Sequence, residues 1–557
     1  MLKMSYKCCL GLYALYSCLV LVFSEDTVVT LTSGKINGRV AKTFKNITFY
    51  AFEDIPYAAP PVGNLRFKPP VSVENWDGVL NTTKNTKMCV QETGTNEMQN
   101  EDCLYLNVYT PVVPNSDKKL PVLFFLHGGK FLTGHGAGLG PDFFMDTQRI
   151  IVVTINYRLG VFGFLSTADE VIPGNMGLKD QRFALQWVQE NIQFFGGDPS
   201  RVTLAGQSAG SASVSYHVRS NQSKGLFRAA ICESGTVLTP WSYQRYARDI
   251  AYQTATALDG TFTKSNTSQE LLQLLQQVPA LQLQVAAHSN VSIPTEHINP
   301  GFVFAPVLEI GNDAFITNLS FGVLEKGEIN KVPMIIGLNS EEEIGQVLNL
   351  NSLKKTMTKY DDNLALIVND DLHIQNETIQ LEVGENIRKI YTDGLFEDDL
   401  ASSVRFISDG RYSINIIKYA QMISKFTDVY FYQFSYDGEM GNVDAYIDGA
   451  ESVAHSEETR YMWSSKANED VNKFPETDVV THERLIKLWT NFVVELNPTF
   501  EADQLLGNIT WPLALPDNFR YLDIREKLEV KTNPKGEVFK AWDSIYEKYG
   551  VRPFDTF

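Results

Sequence analysis

The sequence predicts an α/β protein built on a large, mostly parallel sheet, and two observations carry that prediction. Short apolar runs rich in β-branched and aromatic residues recur along the chain, and between them lie helical patterns with apolar residues every three or four positions. Strands that alternate with helices are joined by crossovers, which set the strands parallel and cover both faces of the sheet.

In chain order the strand candidates are "PVLFFL" from 121, "IIVVTINY" from 150, "RVTLAG" from 201, "AAICESG" from 229, "PMIIGL" from 333 and "VYFYQF" from 429. The clearest helical patterns are "LKDQRFALQWVQENIQFFG" from 178 and "THERLIKLWTNFVVEL" from 481. No internal repeat or low-complexity linker interrupts them, and the Asn/Asp-rich stretch at 350–380 reads as a surface excursion. Residues 25–557 are therefore expected to form a single domain.

Ahead of them, residues 1–24 carry Lys3 and Lys7, an apolar stretch from Cys8 to Phe23 and then Ser24. That pattern predicts a secretory signal peptide, the apolar stretch being short for a membrane span. The C-terminal "YGVRPFDTF" has no apolar tail, so a secreted, extracellular protein without a membrane anchor is expected. With 48 Lys+Arg against 66 Asp+Glu the net charge is -18, and no basic patch is present. Nucleic acid is excluded as a partner, because affinity for it rests on neutralising phosphates.

Signal-peptide removal would leave Cys89, Cys103 and Cys232. In an oxidising compartment the close pair Cys89 and Cys103 forms the natural disulfide, and Cys232, inside an apolar run, is expected to be a packed free thiol. Glycosylation sequons at Asn46, Asn81, Asn221, Asn266, Asn290, Asn318, Asn376 and Asn508 agree with secretion.

The chemistry starts at "GQSAG", 206–210, placed between the strand "RVTLA" and the helical "SASVSYHV". A G-x-S-x-G at a strand-to-helix elbow exposes its serine on a sharp turn, where glycines at 206 and 210 avoid side-chain clashes. Ser208 is the candidate nucleophile, and the amide of Ala209, at a helix N-terminus, is one oxyanion donor. A serine needs a base, and the base an orienting acid, in the chain order Ser, acid, His. Only His373, His455 and His482 leave room for an acid-bearing strand after Ser208. His373 lies in a polar stretch, and His482 starts a helix and is expected at its surface. His455 follows the strand "VYFYQF" by a long loop, where a catalytic histidine should hang. The acid should lie past another strand end, and "PMIIGLNSEEE" offers Glu341, Glu342 and Glu343 without distinguishing among them. No metal or organic cofactor is required by this chemistry.

The stretches "LRFKPP" (65–70), "EDCLYLNVYTP" (101–111), "INYRLGVFGFLS" (155–166) and "FGGDPSRVTLAGQSAG" (195–210) closely resemble the type-B carboxylesterases, the family of carboxylesterases and cholinesterases. The resemblance runs from about residue 27 to the C-terminus. It implies an α/β-hydrolase fold with a mixed central sheet and a Ser-Glu-His triad at the bottom of a gorge. Its Gly-x-Asn-x-x-Glu-Gly motif falls on "GLNSEE" from Gly337 and selects Glu342, although Glu343 replaces the final glycine and leaves Glu341 and Glu343 open. It also implies the Cys89–Cys103 bridge and structural ion pairs Arg66–Glu101 and Arg158–Asp180. The function implied is a serine esterase acting on small carboxylic esters, from odorant or pheromone to hormone and xenobiotic esters. Juvenile hormone esterase is one alternative, since insect examples share "GQSAG", the Arg-Phe pair and "DQ". A non-catalytic binding or adhesion member of the fold is another, against which Ser208 and His455 both stand in place. A cholinesterase is disfavoured, because the Cys89–Cys103 loop is short and contains no tryptophan.

In the family the stretch "HGGKF" (127–131) supplies two more oxyanion amides, which fall on Gly129 and Lys130. Lysine keeps the backbone N–H but adds bulk and charge where the family usually has glycine or alanine. Its side chain is expected either to reach solvent or pair with a carboxylate, or else to narrow the site or depress the pKa of His455 by like-charge repulsion.

Overall fold

The computed structural model describes residues 27–91, 97–441 and 443–557. The expected signal peptide lies outside them. Among the described residues an eleven-stranded sheet runs through the molecule. In chain order its strands are Arg39–Lys42 (β1), Thr48–Pro56 (β2), Tyr105–Thr110 (β3), Leu120–Leu126 (β4), Ile151–Ile155 (β5), Gly197–Gln207 (β6), Ala229–Glu233 (β7), Met334–Asn339 (β8), Val429–Phe434 (β9), Arg520–Ile524 (β10) and Leu528–Thr532 (β11). The spatial order is β11-β10-β9-β8-β7-β6-β4-β5-β3-β2-β1. From β5 across to β10 neighbours run parallel, whereas β1 to β3 at one edge and β11 at the other are antiparallel.

The apolar runs become strands because both faces of the parallel part are covered. On β4, Val122, Phe124 and Leu126 enter one core while Leu123 and Phe125 enter the other. The helices that cover the first face include Met176–Asn191 (α1), through Leu178, Leu185 and Val188, and Ala209–Arg219 (α2), through Ala212, Val214 and Tyr216. Leu400–Ser408 (α3) and Ile414–Ile423 (α4) lie on that face as well. Glu476–Glu495 (α5) covers the second face with Leu485, Trp489 and Phe492. The 350–380 stretch is helical over Leu350–Asp362, pinned by buried Leu353 and Met357.

Strand register decides where function can sit. Gly206 of β6 pairs with Leu126 of β4 and Cys232 of β7, Glu233 pairs with Gly337 of β8, and Asn339 pairs with Phe434 of β9. The carboxyl ends of these five strands therefore emerge along one rim. Since β5 and β6 lie on opposite sides of β4, the chain reverses direction across the sheet there, the place where open α/β sheets carry their sites.

Candidate functional site

Ser208 closes β6 and opens α2 with φ 56° and ψ -122°, a left-handed backbone that a non-glycine residue holds only under tertiary constraint. The constraint is visible. The Ser208 amide donates to Glu233 O at 2.8 Å, and its carbonyl accepts from Ala212 N at 2.9 Å. A Cβ at position 210 would meet Leu126 O at 2.0 Å, so α2 starts against β4 only with glycine there.

His455 hangs in the loop after β9, as expected, and its Nδ1 lies 2.6 Å from Glu342 Oε2. A nitrogen facing a carboxylate carries the hydrogen, which leaves Nε2 as the acceptor. Glu342 is itself held on its other oxygen by Ser234 Oγ at 2.6 Å and Asn339 N at 2.8 Å, and its carbonyl accepts from His455 N at 2.9 Å. The side-chain amide of Gln207, next to Ser208, donates to Ser456 Oγ at 2.7 Å and lies 3.3 Å from His455 Nε2. The Tyr412 ring packs on the imidazole with centroids 4.7 Å apart. Burial pulls the pKa of His455 down, but the Glu342 hydrogen bond and the charges of Glu342, Glu458 and Glu343 outweigh it and hold the imidazole above its ordinary value. Carboxylates therefore dominate the imidazole's surroundings, and the net shift is upward.

The other carboxylates of the triplet point elsewhere. Glu341 accepts from Glu451 N at 3.3 Å, and Glu343 pairs with Arg411 at 3.2 Å. Of the other two histidines, His373 pairs with Asp555 at 3.0 Å. His482 is not at a helix surface: it is buried, its Nδ1 donates to Tyr461 O at 2.7 Å, it packs on Phe143, and burial pulls its pKa down to about 4.

The stretch 127–131 follows β4. His127 stacks on Tyr157 at 4.4 Å, and the Tyr157 hydroxyl donates to His127 O at 2.8 Å, which fixes the base of the loop. Gly129, Lys130 and Phe131 all have positive φ (101°, 60° and 60°), and the carbonyl of Gly129 accepts from Leu132 N and Thr133 N. A Cβ on Gly128 would come 2.9 Å from Ser208 Cβ, so loop and elbow are in direct apposition. Among the described residues the amides of Gly129, Lys130 and Ala209 find no backbone acceptor. Lys130 is exposed and has no hydrogen-bond or ion-pair partner among the described residues.

A cleft of about 400 Å³ has Lys130, Trp241, Phe302, Arg411, Tyr412 and His455 in its lining. Arg411 and Tyr412 project from a π-helical turn, Asp409–Ser413, that joins α3 to α4. Sequence reasoning missed this turn, together with Ser234, Gln207 and Glu458. Glu458 is fully buried, accepts from Asn339 Nδ2 at 2.6 Å and is raised to about 7 by burial and by the charge of Glu342. Only Ser234, directly after a strand end in register with β6, had a signal that could have found it. Among the described residues no group of His, Cys, Asp and Glu could hold a metal ion, and no helix is long and apolar enough to cross a membrane.

The Cys89–Cys103 disulfide is formed, and Cys232 is a buried free thiol on β7. Arg66 grips Glu101 through two bonds of 2.6 and 2.7 Å, and Arg158 grips Asp180 through bonds of 2.6 and 2.8 Å. Seven of the sequon asparagines are exposed, and Asn266 is half-buried.

A parallel sheet that brings a strand–helix serine elbow, an acid and a histidine to one rim defines an α/β-hydrolase. A profile described as "Carboxylesterase family" matches residues 25–542. A carboxylic ester hydrolase of Bombus ignitus is 33% identical over 93% of this chain and 94% of its own length, and a juvenile hormone esterase of Tribolium castaneum is 33% identical over 84% and 83%. The crystal structure of juvenile hormone esterase from Manduca sexta, with OTFP covalently attached, superposes with a TM-score of 0.80 at 27% identity, covering 94% of this chain and 99% of that one. The chain belongs to the carboxylesterase family and is a carboxylic ester hydrolase.

Proposed function

We propose that the protein is a secreted, glycosylated serine esterase that works through an acyl-enzyme on Ser208, with His455 as general base and Glu342 as its partner. Ser208 Oγ attacks the ester carbonyl as His455 Nε2 takes its proton, and the amides of Gly129, Lys130 and Ala209 receive the oxyanion. His455 then returns the proton to the departing alcohol. Water attacks the acyl-enzyme by the same route and releases the acid. Glu342 stabilises the imidazolium in both halves.

The observation that carries this reading is the 2.6 Å contact between Glu342 and His455 beside a serine held at φ 56°. A fluorophosphonate probe tests it. Mass-spectrometric mapping should place the adduct on Ser208, and Ser208→Ala should lose both adduct and ester turnover while melting like the unaltered protein. An intact chain that takes no label would favour a non-catalytic binding role. A hormone-ester specialisation is a second reading, favoured by the aromatic lining of Trp241, Phe302 and Tyr412 and by the juvenile hormone esterases among the relatives. Relative rates on short-chain, long-chain and juvenile-hormone-like esters decide it.

A further inference from the structure

Two cations, Lys130 and Arg411, line the cleft that His455 also lines, and only one is compensated. Arg411 is tied to Glu343 Oε1 at 3.2 Å. The charge of Glu342 is taken up by His455, Ser234 and the Asn339 amide. Lys130 has no such partner among the described residues, although the chain as a whole carries 66 acidic against 48 basic residues. It also stands at φ 60°, a backbone that glycine adopts freely and lysine does not. A flexible, solvent-exposed ammonium is thus mounted at the cleft, on a residue whose own amide is one of the proposed oxyanion donors.

We propose that Lys130 selects esters that bear a negative charge a few atoms from the scissile carbonyl, half-esters of dicarboxylic acids being the simplest class. The carboxylate pairs with the ammonium while the ester carbonyl lies against the adjacent amides, so a single residue supplies an oxyanion donor through its backbone and a charge anchor through its side chain. This rests on hydrolysis at Ser208.

Monomethyl glutarate and its neutral counterpart dimethyl glutarate provide the test, with methanol release as the readout. The quantity that matters is the ratio of kcat/KM for the charged ester to that for the neutral one, because any disturbance of the oxyanion loop changes both rates together. In Lys130→Met the ratio should fall about tenfold, and Lys130→Arg should restore most of it. On the unaltered protein, raising the salt concentration should lower the ratio several-fold, since screening weakens only the charged pair. A ratio unmoved within twofold by both Lys130→Met and salt would falsify the assignment. Loss of dimethyl glutarate turnover in Ser208→Ala establishes the hydrolytic reading separately. Failure of that control sinks the reading itself, whereas a flat ratio sinks only the role of Lys130.

Discussion

The imidazole of His455 is held between burial, which favours its neutral form, and three carboxylates, which favour its charged form and prevail. A base must be neutral to accept the proton of Ser208, so activity should be lost as pH falls through the raised pKa, above the ordinary histidine value of 6.5. Glu342→Gln removes the nearest of these charges. It should move the acid limb of kcat/KM to lower pH and reduce kcat on the order of 10³-fold or more, because the imidazolium loses its partner. A limb that stays in place would mean that Glu342 does not set the titration. As candidates, Ser208 and His455 were legible because each follows a strand candidate in a loop of the right kind. Glu342 was legible only as one of three consecutive glutamates until the family motif selected it. Glu458 was not legible at all, since nothing in "HSEETRYMW" tells a buried acid from a solvated one.

At the scale of elements, the loop after β4 and the elbow after β6 are one device assembled from two chain segments. Gly129 is a tight point of the loop: it has φ 101°, and an added Cβ would meet Thr133 O at 2.2 Å. Gly129→Ala must shift the loop and misaim two amides. We expect kcat/KM to fall about 10²-fold or more, in line with the loss of an oxyanion donor, while probe labelling of Ser208 slows in parallel. Unchanged kinetics would show that the loop does not receive the carbonyl oxygen. Of the parallel strands all but β10 ("RYLDI") were readable as continuous apolar runs, whereas β2 and β3 were not. Their sequences, "TFYAFEDIP" and "YLNVYT", carry Glu53, Asp54 and Asn107, which look like loop residues. Tertiary partners make them tolerable in strands: Glu53 pairs with Arg39 at 3.1 Å, and Asn107 Nδ2 donates to Thr154 Oγ1 at 3.0 Å. His482 was misjudged for a similar reason, since packing of Phe143 over its helix buries a face that the sequence leaves polar.

For the molecule as a whole, charged residues outside the site tie distant segments together. Arg158, just after β5, reaches Asp180 on α1 with neither side chain appreciably exposed, and it also donates to Lys68 O at 2.8 Å. Removing one partner strands the other charge in the interior. Arg158→Met should therefore cost about 3–5 kcal/mol, seen as a lower denaturation midpoint in urea, with the remaining folded fraction still taking the fluorophosphonate label. A loss below 1 kcal/mol would place Asp180 in contact with solvent, contrary to its burial. The α/β class was legible from periodicity alone, because each parallel strand must bury both faces. The antiparallel flanks entered only through the family resemblance.

Cys232 gives this architecture a built-in recorder. Its thiol is sealed in β7, between the strand that ends in Ser208 and the strand that leads to Glu342, and burial pushes its ionisation well above the ordinary cysteine range. Its side chain lies in the core beneath α2 and α4, so an alkylating reagent can reach it only in molecules in which those helices have lifted from the sheet. Every alkylated Cys232 marks a molecule in which that core layer had opened, so the rate of alkylation in native buffer is a clock for how often the helix that follows Ser208 loses its seat on the sheet.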